Sequence, residues 1–209
     1  MSEFVVLPWE VDPELDSPFG SSGPYESASN LRTPFGELAM DALGDSVVSG
    51  FDAGAETGNE DDPREFTTRI YRFTDAAAAQ GALPIIQESW LSNEYNPRTL
   101  DPIDVLPNSV VVSFGFEGQI AVNSVTAHND YLIYTSAWAL PEHKAWTAQS
   151  TAKAIELQED LIDTFPATPI DEIPNITMDQ DKVLIYTIPT DSERGRSGDQ
   201  AVWGPRGIQ

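Results

Sequence analysis

The sequence predicts an α+β fold: an antiparallel β-meander covered on one face by long helices, with a strand-helix-strand-strand-strand-helix core. Three observations predict it. Residues 120–128 and 131–138 are rich in β-branched and aromatic side chains, and Asn129-Asp130 between them tolerates positive φ in a tight hairpin turn. Residues 110–116 have the same composition and meet Ile120 across Glu117-Gly118. After Pro141 the apolar period changes from two to about 3.6, the mark of a long helix over 142–165. Strands joined by short turns make a meander, and its apolar face needs a helix to cover it.

From the amino terminus, Phe4-Val-Val-Leu7 is an apolar run stopped by Pro8, either an edge strand or a segment strapped over the core. Residues 16–33 are rich in Ser, Gly, Pro and Asn and read as loop. Residues 34–43 are expected to form a short helix, with Thr33 as N-cap, Pro34 in the first turn and Gly44 after the end. Residues 47–51 read as a strand. Residues 54–63, with Glu56, Glu60, Asp61 and Asp62 between glycines, read as an exposed acidic loop. In 65–73, Phe66, Thr68, Ile70 and Arg72 alternate with Thr67, Arg69, Tyr71 and Phe73, again a strand. Thr74-Asp75 caps a helix that starts at Ala76, and Gly81 and Pro84 are expected to interrupt it. A kink or restart should fall near Pro84, whose ring and missing N–H disturb the preceding turn. Ala82, Ile86 and Trp90 share an apolar face beyond it. Residues 95–108, with Pro97, Pro102 and Pro107, are a loop.

Along the long helix, Ala154, Leu157, Leu161 and Phe165 fall on one stripe, widened by Ala148, Ala152, Ile155 and Ile162. Lys153, Glu156, Glu159, Asp160 and Asp163 point away from it. Pro166 and Pro169 stop the helix. On this reading Leu157→Asp unfolds the domain and Glu156→Ala is nearly neutral. Residues 183–188 are a further strand candidate and 191–199 a polar loop. The chain thus divides into an α+β sandwich over 1–170 and a strand and loop over 171–209 that lead toward a second lobe.

The chain of 209 residues is long enough for a real core. No run approaches the apolar length of a membrane span. With no cysteine, disulfides, thiolate nucleophiles and cysteine-type zinc sites are excluded. The net charge is −23, and only three of the 11 basic residues are lysines. Nucleic acid and anionic lipid headgroups, which need a basic footprint, are therefore poor partners. Such a charge serves solubility at a cell surface or in salt, or else attracts a cationic partner or calcium.

Several segments together resemble a family of uncharacterised actinobacterial cell-envelope lipoproteins of mycobacterial and nocardial type. They are the opening Met1-Ser-Glu-Phe-Val-Val-Leu-Pro-Trp-Glu-Val-Asp-Pro13, the step Tyr71-Arg-Phe-Thr-Asp-Ala-Ala-Ala-Ala79, and the hairpin Thr126-Ala-His-Asn-Asp-Tyr131. The helix end 157–169, Met178-Asp-Gln-Asp181 and Val202-Trp-Gly-Pro-Arg-Gly207 continue the likeness in the same order. The resemblance implies a secreted, extracytoplasmic protein tethered by a lipidated cysteine and continuing into a second lobe; a cytoplasmic protein is the alternative. The sequence carries neither leader nor cysteine, so it is expected to be the amino-terminal lobe of a longer protein. An incomplete surface around Ile188, Val202 and Trp203 should then self-associate. The resemblance implies no catalytic residue.

The residues themselves assign no catalytic group, metal or cofactor. His128 at a hairpin end and His143 near a helix start are not brought together by spacing, and no serine lies in a nucleophile elbow. Asp179-Gln-Asp181 and Asp12-Pro-Glu-Leu-Asp16 space carboxylates closely, but turn capping explains them more simply than calcium. With 34 acids in the chain, a paired-carboxylate hydrolase always looks feasible, which makes the signal uninformative. Asn175-Ile-Thr177 matches a glycosylation sequon that has no role in a bacterial setting. Of the five tryptophans, Trp90 and Trp138 read as core, while Trp146 in the first turns of the long helix can border a pocket. Trp146 and Tyr134 are the candidate pocket residues. The leading reading is a non-catalytic envelope protein that binds an apolar or glycolipid ligand, or a protein partner, between sheet and helix. A carboxylate-dependent envelope hydrolase and a pure interaction lobe are the alternatives.

Overall fold

The computed structural model describes residues 4–19 and 28–175. The strand candidate 183–188, the patch around Ile188, Val202 and Trp203, and the Asp179-Gln-Asp181 carboxylates lie outside the described residues. Strands β1 (Ser17–Pro18), β2 (Val47–Glu56), β3 (Glu65–Phe73), β4 (Thr99–Leu100), β5 (Val110–Phe116), β6 (Gln119–His128) and β7 (Tyr131–Ala139) form one sheet. Its order is β1-β2-β3-β7-β6-β5-β4, antiparallel throughout. The expected α+β architecture is thus observed.

Both hairpin turns use the backbone the sequence offers. Glu117 and Gly118 have φ of 50° and 85°, and Asn129 has φ of 54°, the left-handed values that a two-residue hairpin turn needs. The edges are short and guarded by proline: β1 contains Pro18, and β4 lies between Pro97 and Pro102. Proline cannot donate to a ladder, so neither edge invites another strand.

Helices cover both faces of the sheet. On one face α4 (Ala76–Leu91), α2 (Arg32–Phe35) and α3 (Glu37–Leu43) pack on Tyr71, Phe73, Val112, Val125, Leu132 and Tyr134. On the other, α5 (Lys144–Thr164) and the amino-terminal segment pack on Phe51, Ala53, Phe66, Ile70, Ile133 and Ala137. Phe4-Val-Val-Leu7 is a strap rather than an edge strand. It enters a short helix α1 (Pro8–Val11), which Glu10 caps by accepting the Leu7 N–H at 2.9 Å.

Several expectations are corrected. α4 runs unbroken through Gly81 and Pro84. The missing N–H of Pro84 orphans the carbonyl of Gln80, which is exposed, so water can satisfy it. Ala79, Ala82, Leu83, Ile86 and Trp90 meanwhile hold the opposite side on the sheet. Asp75 caps the helix as expected, accepting from the Ala78 N–H at 2.8 Å. The single helix expected over 34–43 is two, broken at Gly36, whose φ is 87°. A Cβ there would come within 2.9 Å of Ser89 Oγ, so the corner fits against α4 only with glycine. β2 continues past Phe51 to Glu56, which shortens the acidic loop. Trp138 is half-buried rather than core, set edge-on to Phe114 at 5.3 Å.

The face of α5 is also rotated from the apolar stripe. Its buried residues are Thr147, Ser150, Thr151, Ala154, Ile155, Gln158 and Ile162, while Leu157, Leu161 and Phe165 lie half-buried on the flank. The strap, packed alongside the helix, covers that flank.

At the end of β2 and β3, Glu56 and Glu65 sit opposite each other. Burial, and secondarily the Glu56 carboxylate, push the Glu65 carboxyl above its ordinary range. The folded state therefore holds this proton more tightly than the unfolded chain, and stability falls as pH rises through the raised value. Glu65→Gln is expected to raise the melting temperature at neutral pH. The gain should vanish once pH falls below the ordinary glutamate value of about 4.3. A pH series of calorimetric melts checks the sign; a gain that persists in acid contradicts it.

Candidate functional site

The side chains of α5 tie the strap down at three points. Gln158, fully buried, accepts the Val6 N–H at 2.9 Å and donates to the Phe4 carbonyl at 2.6 Å. Lys153 donates to the Val11 carbonyl at 2.7 Å, closing the end of α1. Trp146 donates its indole N–H to Asp12 at 2.7 Å. An extended segment beside a helix has no ladder to satisfy its backbone, and these side chains supply the missing partners.

Between strap and helix runs a groove of about 340 Å³, lined by Val6, Glu10, Lys153, Leu157, Asp160, Leu161 and Thr164. Leu157 and Leu161 form its floor and the charged residues its rim. A smaller cavity of about 210 Å³ lies further along the helix, lined by Val11, Asp12, Pro13, Trp146, Gln149, Ser150 and Lys153. Lys153 borders both.

Trp146 therefore lines a cavity, within a network that is closed on itself. Arg64 stacks over its ring at 5.4 Å and is paired with Asp12 at 3.0 Å, Asp62 at 3.4 Å and Glu14. Asp12 also accepts the Glu14 N–H at 3.0 Å, the turn-capping role expected of it. Tyr134 lies on the other face of the sheet, buried beneath α4, with Phe35 at 5.5 Å and Trp90 at 6.3 Å. The structure does not bring Trp146 and Tyr134 together.

Among the described residues the titratable groups do not converge on a reaction centre. His128 is held by Asp163 at 2.7 Å and Glu159 at 3.6 Å, and His143 faces Asp62 at 3.2 Å. Hydrogen bonding to His128 draws the exposed Asp163 carboxyl below its ordinary range. Hydrogen bonds from Lys144 and Ser113 outweigh burial and do the same for Asp101. With Glu65, these three shifted acids sit on α5, beside β4 and on β3, not across one cleft from each other. Among the described residues no group of three or more metal-ligating side chains could hold an ion.

The residues of the groove wall and its fastening that sequence reasoning missed are Val6, Lys153, Leu161 in its partly exposed role, and Gln158. For Gln158 a signal exists, since it falls at four-residue spacing between Ala154 and Ile162, on the buried stripe.

Over residues 1–178 the chain matches the model of a domain of unknown function, the DUF7373 N-terminal domain. No curated protein matches it. Among solved structures it is similar to the extracellular domain of PknH from Mycobacterium tuberculosis, with a TM-score of 0.52 at 13% identity. The likeness covers 78% of this chain and 95% of that one, and it shows a shared fold.

Proposed function

The chain belongs to the DUF7373 family, and from that premise we propose that it is a non-catalytic, extracytoplasmic domain of a cell-envelope protein that takes an apolar or glycolipid chain into the groove between strap and α5. The groove carries the reading. Its volume of about 340 Å³ falls within the roughly 300–1,000 Å³ of small-molecule sites, and its form suits them: an apolar floor with a few polar groups at the rim. Leu157 and Leu161 would take the hydrocarbon, while Glu10, Lys153, Asp160 and Thr164 would meet a polar head. The dispersed acids support binding over hydrolysis, because two carboxylates acting on one bond must face each other across it.

The likeness to the extracellular domain of PknH supports placement outside the cytoplasm. No helix among the described residues is long and apolar enough to cross a membrane. On the resemblance to envelope lipoproteins, attachment falls to a lipidated cysteine outside this sequence, the domain spans about residues 1–170, and residues 171–209 lead toward a second lobe. Native mass spectrometry of the protein purified from an actinobacterial host tests the reading. A bound lipid mass is expected on the wild-type chain and should be lost from Leu161→Gln, whose polar group lies at the groove floor. A lipid retained equally by both proteins places the ligand elsewhere, and a wild-type chain free of lipid overturns the reading.

A further inference from the structure

Arg98 lies in the connection between α4 and β5, half-buried between two aromatic rings. Its guanidinium carbon is 5.4 Å from the centroid of Trp90 and 5.0 Å from that of Phe114. Other cationic side chains among the described residues have polar partners. Arg32 meets Glu37, Arg64 meets Asp12, Arg69 meets Asp52, Arg72 meets Asp130, Lys144 meets Asp101 and Lys153 meets the Val11 carbonyl. Arg98 has neither an ion pair nor a hydrogen bond among the described residues, and its Nε is buried without a partner. Burial draws its pKa down, as for a cation taken from water without a counter-charge. In a chain with 34 acids and 11 bases, such isolation does not come from a shortage of carboxylates.

The surroundings of Arg98 are fixed in advance. Phe114 meets Trp138 edge-on at 5.3 Å, and Trp138 meets Phe116 edge-on at 6.3 Å. The Trp138 indole N–H donates to Ser136 at 2.9 Å, and the Ser136 hydroxyl donates to Asn123 at 3.0 Å, so the ring is held in place. Phe116 is half exposed. An aromatic ladder thus leads from the guanidinium to the surface, on the sheet face opposite the groove.

We propose that Arg98 anchors a second ligand site, which takes a small organic anion: a carboxylate or phosphate ester on the guanidinium, with a flat or apolar body across Trp138 and Phe116, which the buried Phe114 backs. The planar guanidinium fork matches both anions in geometry and charge. The fixed rings supply contact area for the body at little entropic cost. Ligand binding supplies the counter-charge that Arg98 lacks among the described residues.

Titration of the 15N-labelled chain with phenyl phosphate, read at the indole N–H signals of Trp90 and Trp138, tests this. Saturable shifts are expected, with an affinity that falls as salt rises. Arg98→Gln should weaken binding by at least about tenfold. Arg98→Lys, which keeps the charge and loses the fork, should fall between the two. Phe116→Ala, an exposed change that leaves the fold intact, should weaken phenyl phosphate and leave inorganic phosphate unchanged. Neutral benzyl alcohol should produce no saturable shift. The proposal is overturned if neither phenyl phosphate nor benzoate saturates the wild-type signals, or if Arg98→Gln binds as tightly as wild type. If Arg98→Gln does not fold, wild-type affinity in both Arg98→Lys and Phe116→Ala overturns it equally.

Discussion

Ile155→Asp is expected to unfold the domain, whereas Leu157→Asp is expected to leave it folded and to empty the groove. Ile155 is 1% exposed and packs with Phe51, Ile70 and Ile133 under the strap. A carboxylate there must be buried without a partner or stay protonated, at a cost of several kcal/mol. A typical domain has only about 5–15 kcal/mol of stability to lose. Leu157 lies on the flank, half-buried at the groove floor, where an introduced carboxylate can turn to water. Circular dichroism melts separate the two. Ile155→Asp should show no cooperative transition, and Leu157→Asp should melt within a few degrees of wild type. Equal melting temperatures for the two variants would show that the leucine stripe, and not the face described here, packs on the sheet.

This pair of variants also marks where the sequence was legible and where it was not. The strands of both hairpins, the turns and the start of α4 follow from neighbours in the chain, so period and turn chemistry located them. The face of α5 depends on what lies across from it. In the middle of the sheet, the face that α5 covers carries Thr68, Ser124 and Thr135, all fully buried, with the Ser124 and Thr135 hydroxyls bonded at 2.7 Å. The buried face of the helix likewise carries the small polar side chains Thr147, Ser150 and Thr151. A stripe chosen by apolar content passes over these positions and selects the leucines instead. The same limit governed the site. Trp146 was visible as an aromatic near a helix start, but its partners Asp12 and Arg64 are far away in sequence. Tyr134 had the composition of a pocket residue, and its burial depends on α4 crossing above it. At the Gly36 break, the Ser89 hydroxyl that donates to the Phe35 carbonyl at 2.6 Å comes from a helix that the local sequence does not mention.

Gln158 is the residue on which the strap depends, and Gln158→Leu is expected to release it. The substitution keeps an apolar body of similar size and removes both hydrogen bonds, to the Val6 N–H and to the Phe4 carbonyl. Val6 is fully buried, so its amide cannot turn to water while the strap stays in place. The orphaned Val6 amide, which is buried, costs about 1–3 kcal/mol, and the part-buried Phe4 carbonyl adds less. For a domain of this size, the melting temperature should then fall by on the order of 10 °C. Release should be local before it is global. Hydrogen exchange at the Val6 amide should approach that of an unprotected amide, while the amides of β6 and β7 keep their protection. Gln158→Glu separates the two bonds. Its carboxylate still accepts from Val6 but faces the Phe4 carbonyl without a proton to donate. Burial raises the pKa of the introduced carboxyl in the folded state, so the penalty is full above that value and is lost as pH falls through it. In acid the neutral carboxyl donates its O–H to Phe4 and accepts from Val6, restoring the glutamine pattern. The stability difference from wild type should therefore shrink on acidification. A difference that stays constant with pH, or a Val6 amide as protected in Gln158→Leu as in wild type, would show that apolar packing alone holds the strap.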